Sequence, residues 1–272
     1  MVLDNKNAIV YGAGGSMGGA VAKALAGAGA RVVLTGRHLS PVQKVADQIL
    51  AAGGSAVVNQ VNAMDEKAIN NHMDKVAQEM GTIDMSFNGM GHDIVQNIGL
   101  VDMSADDFMH PISYILKTQF LTATAAGKAM MKQGSGVILT LTATPGGISY
   151  PFTGGFGPAC SALESFSAAL ASELGMYGIR VVNIRSGGSV DSTVFRRAIE
   201  GNPERMEPVI RKMEEDTMLK KLPLMTDIGN VAVFLSSDMA SKITGVTIDV
   251  TCGTTAGLNY RTGPAGSFRV VG

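Results

Sequence analysis

Charge is scarce in this chain. Of its 272 residues only 17% are charged, and the formal net charge is −1. Such a surface offers no basic field for nucleic acid or an anionic membrane, so neither is an expected partner. Cysteine is nearly missing too. Cys160 and Cys252 lie far apart without metal-ligand spacing, and no metal site is expected. There is no internal repeat, no secretory signal and no apolar run of membrane length, which together point to a reducing cytoplasm. What is abundant is apolar content, at 46%, and glycine, at 34 residues. The first suffices to bury a full core in one domain. The glycines follow no period and gather where strands hand over to helices, as turn chemistry does.

The order of elements follows from periodicity and caps. Residues 7–11 form a short apolar run ahead of Gly12-Ala13-Gly14-Gly15, and Val21 and Leu25 then recur at helical spacing up to Gly29. Residues 31–34 give the next strand. Ser40-Pro41 reads as an N-cap with proline at the first helical position, opening a helix that ends near Gly53-Gly54. Strands over 56–61 and 83–87 flank a helix capped by Asp65 and reaching Met80, and Ser104 to Asp107 resembles a capping box. A long helix with Pro111 in its first turns follows. Strands at 137–141, 179–184 and 246–250 and an apolar helix over 159–176 complete the alternation. Alternating strands and helices force parallel pairing through right-handed crossovers. The expected fold is therefore a Rossmann-type α/β domain over residues 1–256: a doubly wound parallel sheet of about seven strands, with helices on both faces. Residues 257–272 form a tail. Ligands bind at the carboxyl ends of such strands, so the irregular stretches 89–101 and 187–216 should border one crevice, the second as a mobile lid.

A nucleotide site in such a sheet needs glycines where the first strand turns into its helix, because a Cβ there would hold a pyrophosphate away from the backbone N–H groups. Gly12, Gly14, Gly15 and Gly18 supply that space, with Ser16 and Met17 between them. The strict Gly-x-Gly-x-x-Gly pattern fails at Met17. Gly12-Ala-Gly-Gly-Ser-Met-Gly18 instead resembles the Gly-x-x-x-Gly-x-Gly turn of the short-chain dehydrogenase/reductase family, with Ser16 in place of the middle glycine. The resemblance runs in register to Ile243-Thr244-Gly245 and Val250-Thr-Cys-Gly253. Asn88-Gly89-Met90-Gly91 resembles the family's Asn-Asn-Ala-Gly, and Gly187-Gly188 with Val190 and Ser192 resembles its Pro-Gly turn and the hydroxyl near the nicotinamide amide. By the same resemblance Asn62 and Ala63 border the adenine. The second strand ends Leu34-Thr-Gly-Arg37 with no carboxylate at Gly36 to bond a ribose 2′-OH, whereas Arg37 can fork onto a 2′-phosphate; this favours NADP(H) over NAD(H).

The resemblance breaks at the chemistry. The family's proton relay rests on Ser, Tyr, Lys and Asn, and the register puts Ala143, Phe156, Cys160 and Ile115 at those places. Hydride delivery to a carbonyl builds charge on oxygen that a donor must meet, and none of these supplies the usual one. Tyr150 and Thr142 are the expected substitutes. Tyr150 follows Gly146-Gly147, a loop able to bring its phenol over the nicotinamide or to leave it as a wall residue. His92, Thr144, Phe156 and Arg185 are expected around the substrate, with Arg185 either meeting a carboxylate of the protein or anchoring an acidic substrate. Cys160 reads as a compact hydrophobe.

These residues imply an NADP(H)-dependent oxidoreductase with a nonstandard active site, reducing an activated C=C or C=N bond of a small molecule. The alternatives are a cofactor-binding sensor without hydride transfer and a non-redox cyclase or isomerase on the same fold. An apolar face at Ala162, Phe166, Ala169 and Leu170, together with the family's habit of pairing through this helix, implies a homo-oligomer, a tetramer or a dimer.

Overall fold

The computed structural model describes residues 1–91 and 94–257. Seven strands form one sheet in the order β3-β2-β1-β4-β5-β6-β7: β1 (Asn7–Tyr11), β2 (Arg31–Gly36), β3 (Ser55–Gln60), β4 (Met85–Asn88), β5 (Gly136–Ala143), β6 (Ile179–Ser186) and β7 (Thr247–Val250). Every neighbouring pair is parallel. Side chains alternate across a strand, and here the alternation feeds two cores. Ala8 and Val10, Val32 and Leu34, Val182 and Ile184 face one side. Ile9 and Tyr11, Val33, Ile179 and Val181 face the other.

The first face is covered by α1 (Ser16–Gly27), α2 (Leu39–Ala51) and α8 (Met225–Ser236), through residues such as Leu25, Ile49 and Ile228. The second is covered by α3 (Glu66–Met80), α4 (Ala105–Gln133) and α5 (Phe156–Leu174), through Ile69, Met130 and Leu174. Asp65 caps α3 by accepting from the Ala68 N–H, and Ser104 caps α4 by accepting from the Asp107 N–H, as their sequence positions imply.

Three expectations change. α2 starts at Leu39 with His38 as an N-cap lacking a side-chain bond, which moves Ser40 and Pro41 into the first turn, where a missing N–H costs nothing. α5 starts at Phe156 rather than Ala159. The stretch 187–216 is not irregular: it holds α6 (Thr193–Gly201) and α7 (Pro203–Glu215), capped by Ser192 and Asn202. Neither helix contains a buried residue, although Val194, Phe195, Ala198 and Ile199 in the first, and Met206, Val209, Ile210 and Met213 in the second, recur at helical spacing in the sequence. Residues 258–272 of the tail lie outside the described residues.

The sheet order reverses at β1, whose neighbours β2 and β4 are reached on opposite sides. That switch point opens a crevice beyond the carboxyl ends of β1 and β4.

Candidate active site

Two adjoining cavities occupy this crevice. The outer one, about 200 Å³, lies against the turn from β1 to α1 and the end of β2, and Gly12, Gly14, Gly15, Arg37 and Ala63 line it. The inner one, about 240 Å³, lies beyond the ends of β4, β5 and β6, and Met17, Asn88, Gly188 and Ser192 are part of its wall. Met90 and Tyr114 line both.

The glycine turn is shaped for close approach. Gly12 has φ +71°, and a Cβ there would sit 2.7 Å from the Met90 Cα. α1 begins after Gly15, which has no side chain to cap the helix, so its first N–H groups and its dipole face the outer cavity. A nucleotide pyrophosphate fits such a cradle. Gly18 and Gly89 serve differently: a Cβ on Gly89 would come within 3.0 Å of the Gly18 backbone where the two turns touch, and a Cβ on Gly18 would collide with the Gly12 carbonyl oxygen. The Ser16 Oγ accepts from the Thr193 N–H at 2.7 Å and lies 2.6 Å from the Thr193 Oγ1, tying the turn to α6.

Arg37 is exposed at the rim, with its carbonyl held by the Gln60 amide at 2.9 Å. No carboxylate lines the outer cavity among the described residues. Ala63 is buried against it, whereas Asn62 is exposed, accepts from the Met64 N–H and lines neither cavity. Val190 lines neither cavity. His92 lies outside the described residues.

The inner cavity brings together Ala143, Phe156, Cys160 and Ile115, which are far apart in the chain. Burial, acting more strongly than any neighbour, pushes the Cys160 thiol up to about 11, so it is protonated at neutral pH. Tyr150 and Thr144 line neither cavity. The loop leaves Tyr150 half-buried, where burial first and Asp216 second raise its phenol pKa and make it a poorer acid.

Arg185 also lies outside both cavities, and it takes the internal reading. Register sets Thr142 of β5 beside Arg185 of β6, and Arg185 beside Asp249 of β7. Glu164 of α5 comes down onto this row. Arg185 donates through Nε to Glu164 Oε1 at 2.9 Å, through a second nitrogen to Glu164 Oε2, and to Asp249 at 2.9 Å. An ionised Glu164 can only accept, so Thr142, 2.8 Å away, spends its single hydroxyl hydrogen on it. The Asn183 amide in turn donates to Thr142 at 2.7 Å, and Thr140 donates to the Asn183 carbonyl at 2.9 Å. Thr142 lines the inner cavity, but it has no hydrogen left to offer there.

Sequence reasoning missed Tyr114, at the junction of the two cavities, and Ser189, in the inner wall. Tyr114 was within reach of helical spacing: Tyr114, Ile115, Thr118 and Gln119 follow the i, i+1, i+4, i+5 pattern and all line the inner cavity. Nothing in the sequence singles out Ser189.

A family profile described as Enoyl-(Acyl carrier protein) reductase matches residues 12–255. The 3-oxoacyl-[acyl-carrier-protein] reductase of Escherichia coli is 28% identical over 93% of this chain and 98% of its own. A 3alpha-hydroxysteroid dehydrogenase of Mediterraneibacter gnavus is 29% identical over 92% and 97%. A crystal structure of a short-chain type dehydrogenase/reductase from Mycobacterium marinum superposes with a TM-score of 0.80 at 27% identity, covering 93% and 96%. With a glycine turn, a switch-point crevice and a match over nearly its whole length, the chain belongs to the short-chain dehydrogenase/reductase family of oxidoreductases.

Proposed function

We propose that this protein is an NADP(H)-dependent reductase of activated C=C or C=N bonds in small, largely apolar molecules. One observation carries the reading: Ala143, Phe156, Cys160 and Ile115 wall the inner cavity. Ala, Phe and Ile have no proton to give, and burial makes the Cys160 thiol a weaker acid than an ordinary thiol. By family resemblance these are the positions of the Ser-Tyr-Lys-Asn relay. Reduction of an unactivated ketone would leave the developing charge on oxygen without an acid. A conjugated carbonyl or an iminium is already activated, and the description of the matching family names an enoyl bond.

A nicotinamide cofactor supplies the hydride when bound. The chain's own part is to hold and exclude. Gly12, Gly14, Gly15 and the start of α1 receive the pyrophosphate, and Arg37, with no opposing carboxylate among the described residues lining the outer cavity, takes a 2′-phosphate. Ala63 borders the adenine, and Asn88, Gly188 and Ser192 border the nicotinamide. Met17, Met90, Phe156 and Phe195 give the inner cavity apolar walls. A cytoplasmic homotetramer completes the reading. Following NADPH absorbance with a panel of enones, imines and plain ketones tests it. Turnover confined to the activated compounds supports it, and NADPH binding without turnover of any member would favour a sensor or a non-redox enzyme.

A further inference from the structure

Most polar side chains of the inner wall are held by the protein itself. Asn88 donates its amide to Thr122 at 3.0 Å and accepts from the Met90 N–H at 3.1 Å. Gln119 donates to the Asn88 carbonyl at 3.0 Å. Thr118 gives its hydrogen to the Ile115 carbonyl, Thr142 to Glu164, and Ser186 to the Gly187 carbonyl at 2.9 Å. Ser192 is engaged as the cap of α6, accepting from the Phe195 N–H.

Ser189 differs. It lines the same cavity, is 3% exposed, and its buried Oγ has no hydrogen-bond partner among the described residues. Buried hydroxyls without partners are uncommon in folded proteins, because burial removes the hydrogen bonds that water supplied. The turn that carries Ser189 is held by its backbone, through the Ser192 N–H on the Ser189 carbonyl at 3.0 Å, so the side chain is not needed to shape it.

We propose that the Ser189 hydroxyl is the hydrogen-bond donor for the carbonyl oxygen of an α,β-unsaturated carbonyl substrate. This rests on the reductase reading and selects, within it, the conjugated carbonyl over the iminium, whose nitrogen has no lone pair to accept. When a hydride from the reduced nicotinamide adds to the β-carbon, the C=C π pair shifts and the carbonyl oxygen becomes an enolate oxygen. Ser189 stabilises that charge through its hydrogen bond and keeps its proton. The proton that ends on the α-carbon comes from water, giving the saturated carbonyl compound and the oxidised cofactor. A hydrogen bond suffices here because an enolate is far less basic than an alkoxide.

The test uses cyclohex-2-enone and the protein saturated with NADP+, a complex that holds no hydride to transfer. Affinity is read by calorimetry and the bound carbonyl by infrared difference spectroscopy. In wild type the carbonyl stretch should fall below its value in an apolar solvent. Ser189→Ala should restore it and weaken binding about tenfold, Ser189→Thr should recover both, and cyclohexene, which lacks the oxygen, should bind all three alike. NADP+ affinity checks the fold; should the alanine variant lose it, Ser189→Cys, close in size and a weak donor, carries the same expectation. An unshifted carbonyl in wild type, no change on Ser189 substitution, or a change produced by Tyr114→Phe alone would overturn the assignment. A hydrogen-bonded enone that NADPH then fails to reduce would instead sink the reductase reading and leave Ser189 in place.

Discussion

At the scale of single residues, Arg185 shows how chemistry and geometry divide the work. Its position on a buried strand announces that its charge must be met, but only the register of β5, β6 and β7 and the descent of α5 reveal Glu164 and Asp249 as the partners. The side chains of Arg185 and Glu164 are 13% and 14% exposed, so the pair is poorly screened by water. Glu164→Leu leaves Arg185 only the more exposed Asp249 and should lower the unfolding free energy by roughly 2 kcal/mol, while the double change Glu164→Leu with Arg185→Met should recover part of that loss, because the charge then left over, Asp249, is open to water. Urea denaturation of the two variants checks this. The proposed role of Arg37 rests on its position in the sequence, at the end of β2 without an acidic residue beside it. Arg37→Ala should weaken NADPH binding about tenfold or more and leave NADH unchanged, with the wild-type difference shrinking as salt is added. Equal wild-type affinities in fluorescence titrations would remove the 2′-phosphate assignment. Tyr150 was a different matter. Its place depended on how a loop folds, and the loop carries the phenol toward Asp216 rather than over the inner cavity.

At the scale of elements, strands and capped helices were readable, and α6 and α7 were missed. β1 falls on its apolar run without shift, and α3 and α4 start where Asp65 and Ser104 accept backbone N–H groups. α6 and α7 bury nothing, yet both carry a helical apolar period, such as Met206, Val209, Ile210 and Met213, that the reading of the sequence passed over. α3 also carries a buried histidine with consequences for stability. His72 is 7% exposed, bonds Asn59 at 3.2 Å and lies edge-on to Tyr11, whose buried phenol has no partner. Burial, with Lys75 adding to it, lowers its pKa from 6.5 to about 4. As pH falls below 6.5 the unfolded chain takes up this proton first, and the folded protein follows only near 4. Stability is therefore full above pH 6.5 and is lost through this group between 6.5 and 4, by about 3 kcal/mol in all. His72→Asn should flatten the dependence of unfolding free energy on pH between 6.5 and 5, a window in which ordinary carboxylates contribute little. An unchanged slope would mean that His72 is protonated in the folded state.

At the scale of the whole molecule, the sheet and its switch point followed from alternation alone, because parallel pairing leaves few topologies open. The assembly did not. Leu170, read from the sequence as part of an outward face of α5, is only 7% exposed and belongs to the inner core. The face that remains is built across two helices, where Phe120 of α4 is 51% exposed and packs on Phe166 of α5 with ring centroids 5.9 Å apart. Phe120→Asp should shift a homo-oligomer toward smaller species in sedimentation equilibrium at micromolar concentration, without altering NADPH affinity. A wild type that is monomeric under those conditions would refute the tetramer.

The proposed chemistry turns on where a hydride goes, and cyclohex-2-enone offers it two carbons. Incubating wild-type protein with NADPH and this compound, then separating the products by gas chromatography, decides between them. If Ala143, Phe156, Cys160 and Ile115 stand in place of the family's relay, as proposed, the cavity should give cyclohexanone, the product of attack at the β-carbon. Formation of cyclohex-2-enol as the main product would show that the carbonyl carbon is attacked and its oxygen protonated, which contradicts the absence of a proton relay.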